Sequence, residues 1–448
     1  MRALLAAGLF SASVAQAGTY AVGEVVVVED TTGSIHNSML LQTTFCQAAA
    51  KGLYAQFSDQ YDGVVSFSTE TLNVFQNVQQ GTPVRQQTAG LGLTTWNNGA
   101  SYGSAAKLEQ CVFMAGLGAL PNSPDGPATV LGGLPLGMTG VELLGHEYGH
   151  HWLVWVTFDK NDGKGKHDLL RGYDPGNDPS VPGKANGHYS WYASSTSPMY
   201  GSVVSSLGGG KFKIEGADHK YTELDQYLMG LRDKADVAPF FALDDGSGHG
   251  KDSVPLSKGS SATVPQFGTA TRVDVTIDDV IRAEGPRVPA FPNAQKCWRV
   301  AFVLVAGQGK TPTAAEIAKV DAYRVRFENW FRGATDHRGT MDTRLNGNGC
   351  LVPPTPDAGV GVPDAGAADA GVDAGTGVVD AGVADAGVVE EPDAGLPVEP
   401  VDAGRPPTKD ETKIDGNGKL KPGCGCSTAD VGLAVFALAG LVLRRRRG

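Results

Sequence analysis

The sequence predicts an α+β domain over residues 18–350, followed by a segment that cannot build a core. Three observations carry this reading. Val25 to Val28 is an unbroken β-branched run closed by Glu29 and Asp30, the pattern of a short buried strand. Residues 39–57 repeat their apolar positions with helical period, and Asp62 to Ser68 then reads as a second strand. A proline-free apolar-periodic stretch over about 139–157 predicts a helix. With 448 residues and 41% hydrophobic content, the chain is long enough to bury a sizeable core.

Taken from the N-terminus, Arg2 precedes a mostly apolar run from Ala3 to Val14 that closes in Ala15-Gln16-Ala17. A basic start, a short apolar stretch and small residues at its end make residues 1–17 a secretory signal peptide, and the run is too short for a membrane span. Export to an oxidising compartment turns cysteines into a pairing question. Four lie in the part expected to fold, and spacing alone leaves three connectivities open. The expected pairing is Cys46 with Cys111 and Cys297 with Cys350, one clip in each half.

Net charge is -11, but it is unevenly spread: residues 351–410 carry -10, residues 411–448 carry +4, and residues 1–350 only -5. A mildly acidic folded part gives no footprint for nucleic acid. From Leu351 the composition shifts to Pro, Asp, Ala, Gly and Val, with Asp-Ala-Gly recurring at irregular spacing and no aromatic residue. Such a stretch buries nothing, so residues 351–422 are expected to be a disordered, charge-extended linker. The aspartates match neither an EF-hand loop nor a β-helix calcium repeat.

Residues 423–448 hold Gly423-Cys424-Gly425-Cys426-Ser427, an apolar run from Val431 to Leu443, and Arg444 to Arg447. Cysteine motif, hydrophobic helix and basic cluster in this order resemble the myxobacterial C-terminal sorting tail. The resemblance implies processing near the cysteine motif by a sorting protease, which leaves the protein attached at the cell surface. A plain membrane anchor through the same tail is the simpler alternative.

The most informative segment is His146-Glu147-Tyr148-Gly149-His150 within the helix expected at 139–157. Histidines at i and i+4 lie on one helix face about 5–6 Å apart between Cβ atoms, so both imidazoles can reach one cation. Glu147 then stands where a carboxylate can take a proton from an activated water and pass it to a leaving amine. This predicts a zinc hydrolase acting on peptide bonds. The alternative is a non-catalytic surface or adhesion protein with a structural zinc site, which would have no use for a base at Glu147.

A catalytic zinc with two histidines lacks one protein ligand. Leu224, Tyr227, Leu228 and Leu231 form an i, i+3, i+4, i+7 stripe, so Tyr221 to Leu231 is an amphipathic helix, with Glu223 and Asp225 as candidate ligands. An acid at a helix start is more ordinarily a cap or a solvated charge. His188 is a further candidate, as third ligand, as an oxyanion donor, or as a structural histidine bonded to a loop carbonyl. Tyr227 or Tyr221 could serve as the oxyanion donor.

Residues 60–345 resemble a group of secreted bacterial zinc metallopeptidase-like proteins. The points of contact are His146 to Leu153, Gly187-His188-Tyr189-Ser190, Ser197-Pro198-Met199-Tyr200-Gly201, the Leu224 to Leu231 helix, Val275 to Ile281, and Arg324 to Leu345. The resemblance implies a zincin-like fold, with the active-site helix between a mixed upper lobe and a mainly helical lower lobe. It implies zinc as cofactor, a protein or peptide substrate, and Asp225 as the third ligand beside His146 and His150, with Glu223 in reserve. Met199 is similar to the methionine of metzincins, but Leu153 and Val156 occupy the places of that group's glycine and third histidine, which disfavours it. Gly307-Gln308-Gly309-Lys310-Thr311 ends like a phosphate loop, but Leu304 stands where the first glycine is needed.

Overall fold

A computed structural model of the chain describes residues 18–351 except 39–40, 73–76, 131–133, 174–186 and 254. The expected signal peptide, the linker beyond Leu351 and the C-terminal tail lie outside the described residues.

The architecture is mixed α/β. Its centre is Cys297–Ala306, a ten-residue strand whose last seven residues are all buried. A continuous apolar run suits a strand covered on both faces rather than one that alternates with solvent. Val25–Glu29 and Gly63–Ser68 pair parallel on either side of it, and Gln110–Gly116 pairs parallel beyond the latter. Thr19–Val22 and Gln80–Pro83 close the two edges antiparallel, and Thr340–Asp342 pairs parallel with the start of the central strand.

Side-chain alternation divides the core into two layers. Val26, Val28, Val64, Phe113, Ala301, Val303 and Val305 face helix α1 (Leu41–Gln56) and pack with its Phe45, Ala49 and Leu53. Val65, Phe67, Val112, Phe302 and Leu304 face the other way. They meet α2 (Gly140–Gly149) and the long closing helix α5 (Ala314–Ala334) through Leu144, Tyr148, Tyr323 and Phe327. Cys46–Cys111 ties α1 to the sheet, and Cys297–Cys350 ties the start of the central strand to the end of the fold; this is the expected pairing.

Two expectations need correction. The helix expected at 139–157 is only Gly140–Gly149, because the chain turns after His150 and Val154 takes a left-handed conformation with φ 76°. The half expected to be mainly helical is instead built largely from small antiparallel sheets. Val203–Gly208, Lys211–Glu215 and Ser261–Val264 form one, and Phe240–Asp244 with Thr271–Val275 another. Only α3 (Glu223–Met229) and α4 (Ile277–Glu284) lie between α2 and the central strand among the described residues. The positive-φ glycines Gly208, Gly209 and Gly210 turn the first hairpin, and glycine-rich stretches of this kind interrupt helical periodicity.

Helix α2 approaches its neighbours more closely than side chains allow. A Cβ on Gly145 would lie 2.1 Å from the Trp330 ring of α5. Gly145→Ala should therefore destabilise the fold by about 1–3 kcal/mol through overpacking, despite alanine's better helix propensity; a denaturant midpoint at or above that of the wild type would contradict this contact.

Candidate metal centre

The N-terminus of α2 is held by a capping box. Thr139 Oγ1 accepts from the Glu142 N–H, and Glu142 Oε2 accepts from the Thr139 N–H at 2.7 Å. Glu142 Oε1 also accepts from the His219 N–H at 2.9 Å, joining the helix to the chain that leads into α3. Burial pushes the Glu142 carboxyl up, but the His219 ring and the backbone donors Thr139 and His219 outweigh it and hold the pKa at about 2. Tyr221, one of the expected oxyanion donors, is fully buried and donates its hydroxyl to the Gly145 carbonyl at 2.7 Å, so it braces the helix instead.

His146 and His150 leave this helix side by side, with ring centroids 4.8 Å apart and planes at 86°. His188 approaches from a separate loop, 5.1 Å from His146 and 5.8 Å from His150. One ring nitrogen from each of the three lies within 4.8 Å of the others. The third member of the cluster is thus His188 and not Asp225. Asp225 occupies the N3 position of the α3 capping box, where its Oδ2 accepts from the Thr222 N–H at 2.8 Å, and burial raises its carboxyl to about 6. Glu223 accepts from the Ala238 N–H and lies 3.6 Å from Arg232. Tyr227 accepts from the Arg287 N–H at 3.1 Å, a loop-anchoring contact.

The histidines' second nitrogens show how the rings are set. Pro198 O can only accept, so its 2.8 Å contact with His146 Nδ1 puts the proton there and leaves Nε2 as a lone-pair donor. His188 Nδ1 faces Asp252 Oδ2 at 3.4 Å. His150 Nδ1 is buried with no hydrogen-bond partner among the described residues. Burial, followed by the neighbouring histidines, pushes His146 well below its ordinary pKa and brings His150 to about 3. Three imidazole nitrogens converging on one point are a donor set of the kind zinc takes, and three of them leave a fourth position open.

Glu147 lies beside this cluster, its Oε2 3.8 Å from His150 Nε2. The same oxygen accepts from the Gly81 N–H of the edge strand at 2.6 Å. Burial raises the carboxyl to about 7, against the lowering effect of Gly81 and the His188 ring. The approach of Gly81 is so close that a Cβ there would sit 1.9 Å from the Glu147 carbonyl oxygen. Gln110 Nε2 donates to that same carbonyl at 2.9 Å.

Tyr200, which the sequence marks only as part of the Ser197–Gly201 motif, lies over the cluster. Its ring stacks on His188 at 3.9 Å and on His146 at 4.7 Å, and its backbone adopts φ 71°. A non-glycine residue in this region is strained, and strain of this kind is retained where surrounding contacts hold it. The available signal was its place between Met199 and Gly201, two residues after Pro198, whose carbonyl orients His146. Met199 packs beneath α2, where a Cβ on Gly149 would come within 2.7 Å of its sulfur.

Two outcomes follow from this arrangement. His188→Ala should lose stoichiometric zinc, read by elemental analysis after dialysis, while Asp225→Ala keeps it; the reverse pattern would return the third place to Asp225. Folding lowers the Glu142 pKa, so its stabilising effect is complete above about 4.5 and disappears as pH falls toward 2. Glu142→Gln should therefore lower the urea midpoint at pH 7 and converge with wild type near pH 2, and a pH-independent gap would contradict the shift. Compared with known protein families, curated proteins and solved structures, the chain matches none.

Proposed function

We propose that this chain is a zinc-dependent endopeptidase, exported and attached at the cell surface. The observation that carries the reading is the convergence of His146, His150 and His188 within 4.8 Å beside the buried carboxylate of Glu147. A structural site has no need of a general base, and a three-histidine set leaves room for water and substrate.

His146, His150 and His188 would hold the ion, whose Lewis acidity polarises a scissile carbonyl and makes a water easier to deprotonate. Glu147 accepts the proton of the attacking water and delivers it to the leaving amine. Burial raises this carboxyl above its ordinary range, which favours a group that must both take and return a proton. The Gly81 N–H restrains the carboxylate, so the base does not swing away from the cluster. Tyr200 covers the faces of two ligand rings and limits the directions from which water reaches them.

A polypeptide substrate is supported by the adjoining sheet edge. Among the described residues, Gln80–Pro83 pairs on one side only, with Gln110–Gly116, and its Gly81 touches the base. The Gly81 N–H is already taken by Glu147 and Pro83 has none, so an extended peptide adding to this edge would be held through backbone carbonyl acceptors. The two disulfides support an oxidising compartment, in keeping with residues 1–17 as a signal peptide and residues 423–448 as an anchoring tail. No helix among the described residues is long and apolar enough to cross a membrane.

The purified chain should carry about one zinc and cleave casein, with activity lost to a chelator. Glu147→Ala should retain zinc while cleavage falls by roughly 10²–10⁴-fold. Zinc binding without Glu147-dependent hydrolysis would sink the enzymatic reading and leave a structural site.

A further inference from the structure

The three histidines of the cluster are backed differently, and the difference points to one residue outside it. His146 donates through Nδ1 to a neutral carbonyl, and His150 Nδ1 has no hydrogen-bond partner among the described residues. Of the three Nδ1 nitrogens, that of His188 is the one that faces a carboxylate among the described residues, Asp252 Oδ2 at 3.4 Å. Asp252 is mostly shielded, with its side chain 11% exposed.

The segment carrying Asp252 is held against the loop carrying His188. Trp191 donates its N–H to the Lys251 carbonyl at 2.6 Å, and the Lys251 N–H donates to Ser190 Oγ at 3.0 Å. The Asp252 N–H donates to the Tyr173 carbonyl, while the Gly172 N–H donates to the His188 carbonyl, both at 3.0 Å. Gly250 admits the close approach, since a Cβ there would meet the Arg171 carbonyl oxygen at 2.1 Å and Ser190 Cβ at 2.6 Å. Nearby, His249 Nδ1 lies 2.8 Å from Asp168 Oδ1, a second tie between the same segments. The carboxylate and the imidazole are therefore delivered to each other by a network of contacts that involves neither of those two side chains.

We infer that Asp252 is the positioning residue of the metal centre: it holds the Nδ1 proton of His188, presents Nε2 to the ion and places a compensating negative charge behind the ligand that comes from outside α2. This rests on the metal reading given above. Two ligands on one helix are already pre-organised by α2, so the loop-borne third ligand is the one whose orientation needs a partner. An acceptor on Nδ1 fixes the tautomer, and a charged acceptor makes the other nitrogen a stronger donor. Asp252→Asn keeps an acceptor but removes the charge, and Asp252→Ala removes both.

The test is metal affinity of the full chain, measured by competition with a chromophoric zinc chelator, together with the visible spectrum of the cobalt-loaded protein. Zinc affinity should fall in the order wild type, Asp252→Asn, Asp252→Ala, with a loss of about 10–100-fold for the alanine variant. The cobalt bands should shift in both variants, while melting of the metal-free protein stays close to wild type for Asp252→Asn. A wild-type chain that takes up neither metal overturns the metal reading and this inference together. A wild-type chain that binds zinc, with Asp252→Asn and Asp252→Ala both unchanged in affinity and cobalt spectrum, overturns the role of Asp252 alone.

Discussion

Much of the molecule depends on how tightly α2 is inserted between the sheet edge and α5. Gly81 brings the edge strand onto the Glu147 carbonyl, and Gly145 lets the Trp330 ring lie against the helix backbone. At neither position is there room for a side chain. The consequence is chemical as well as steric: a helix enclosed on these sides carries His146, Glu147 and His150 out of water. Desolvation then keeps the imidazoles neutral and moves the carboxyl toward neutrality. Packing that supports the core thus also sets the protonation states of the site.

The same economy appears where the loops meet the helix. The Pro198 carbonyl orients His146, the next residue packs under Gly149, and the one after that stacks over two histidine rings. Three consecutive residues of one turn therefore brace the helix and its histidines in three ways. Strain at Tyr200 is sustained because both stacking partners are themselves fixed, one by α2 and one by the segment paired with Asp252. A turn of this kind has little freedom to change in composition without disturbing the orientation of the histidine rings.

How much was legible in the sequence differs by element. The strands Val25–Glu29 and Gly63–Ser68 and helix α1 follow local patterning closely, because each buries a face whose periodicity is written in consecutive residues. The central strand Cys297–Ala306 was not anticipated: a fully buried apolar run lacks the alternation that distinguishes a strand from a buried helix. Helix α2 begins at the Thr139 cap but stops early, the chain turning after His150 and Val154 taking a left-handed φ of 76°. Asp225 illustrates the opposite case. Its place in an acidic, amphipathic segment suggested a ligand, whereas three residues of spacing from Thr222 suffice to make it a cap.

The sequence by itself determined the pair His146 and His150, the carboxylate of Glu147 between them, and the helix that presents all three, because those relations are set within one turn and a half of backbone. It also specified the four cysteines whose pairing the fold realises. Only the tertiary structure decided the third member of the cluster, since His188 lies 38 residues beyond His150 in the chain and reaches it through loops whose course depends on long-range backbone contacts. The same holds for Asp252 and Tyr200. A helical spacing can be read from neighbouring residues, but the meeting of distant loops is fixed by packing and hydrogen bonding across the whole domain, and no local pattern encodes it.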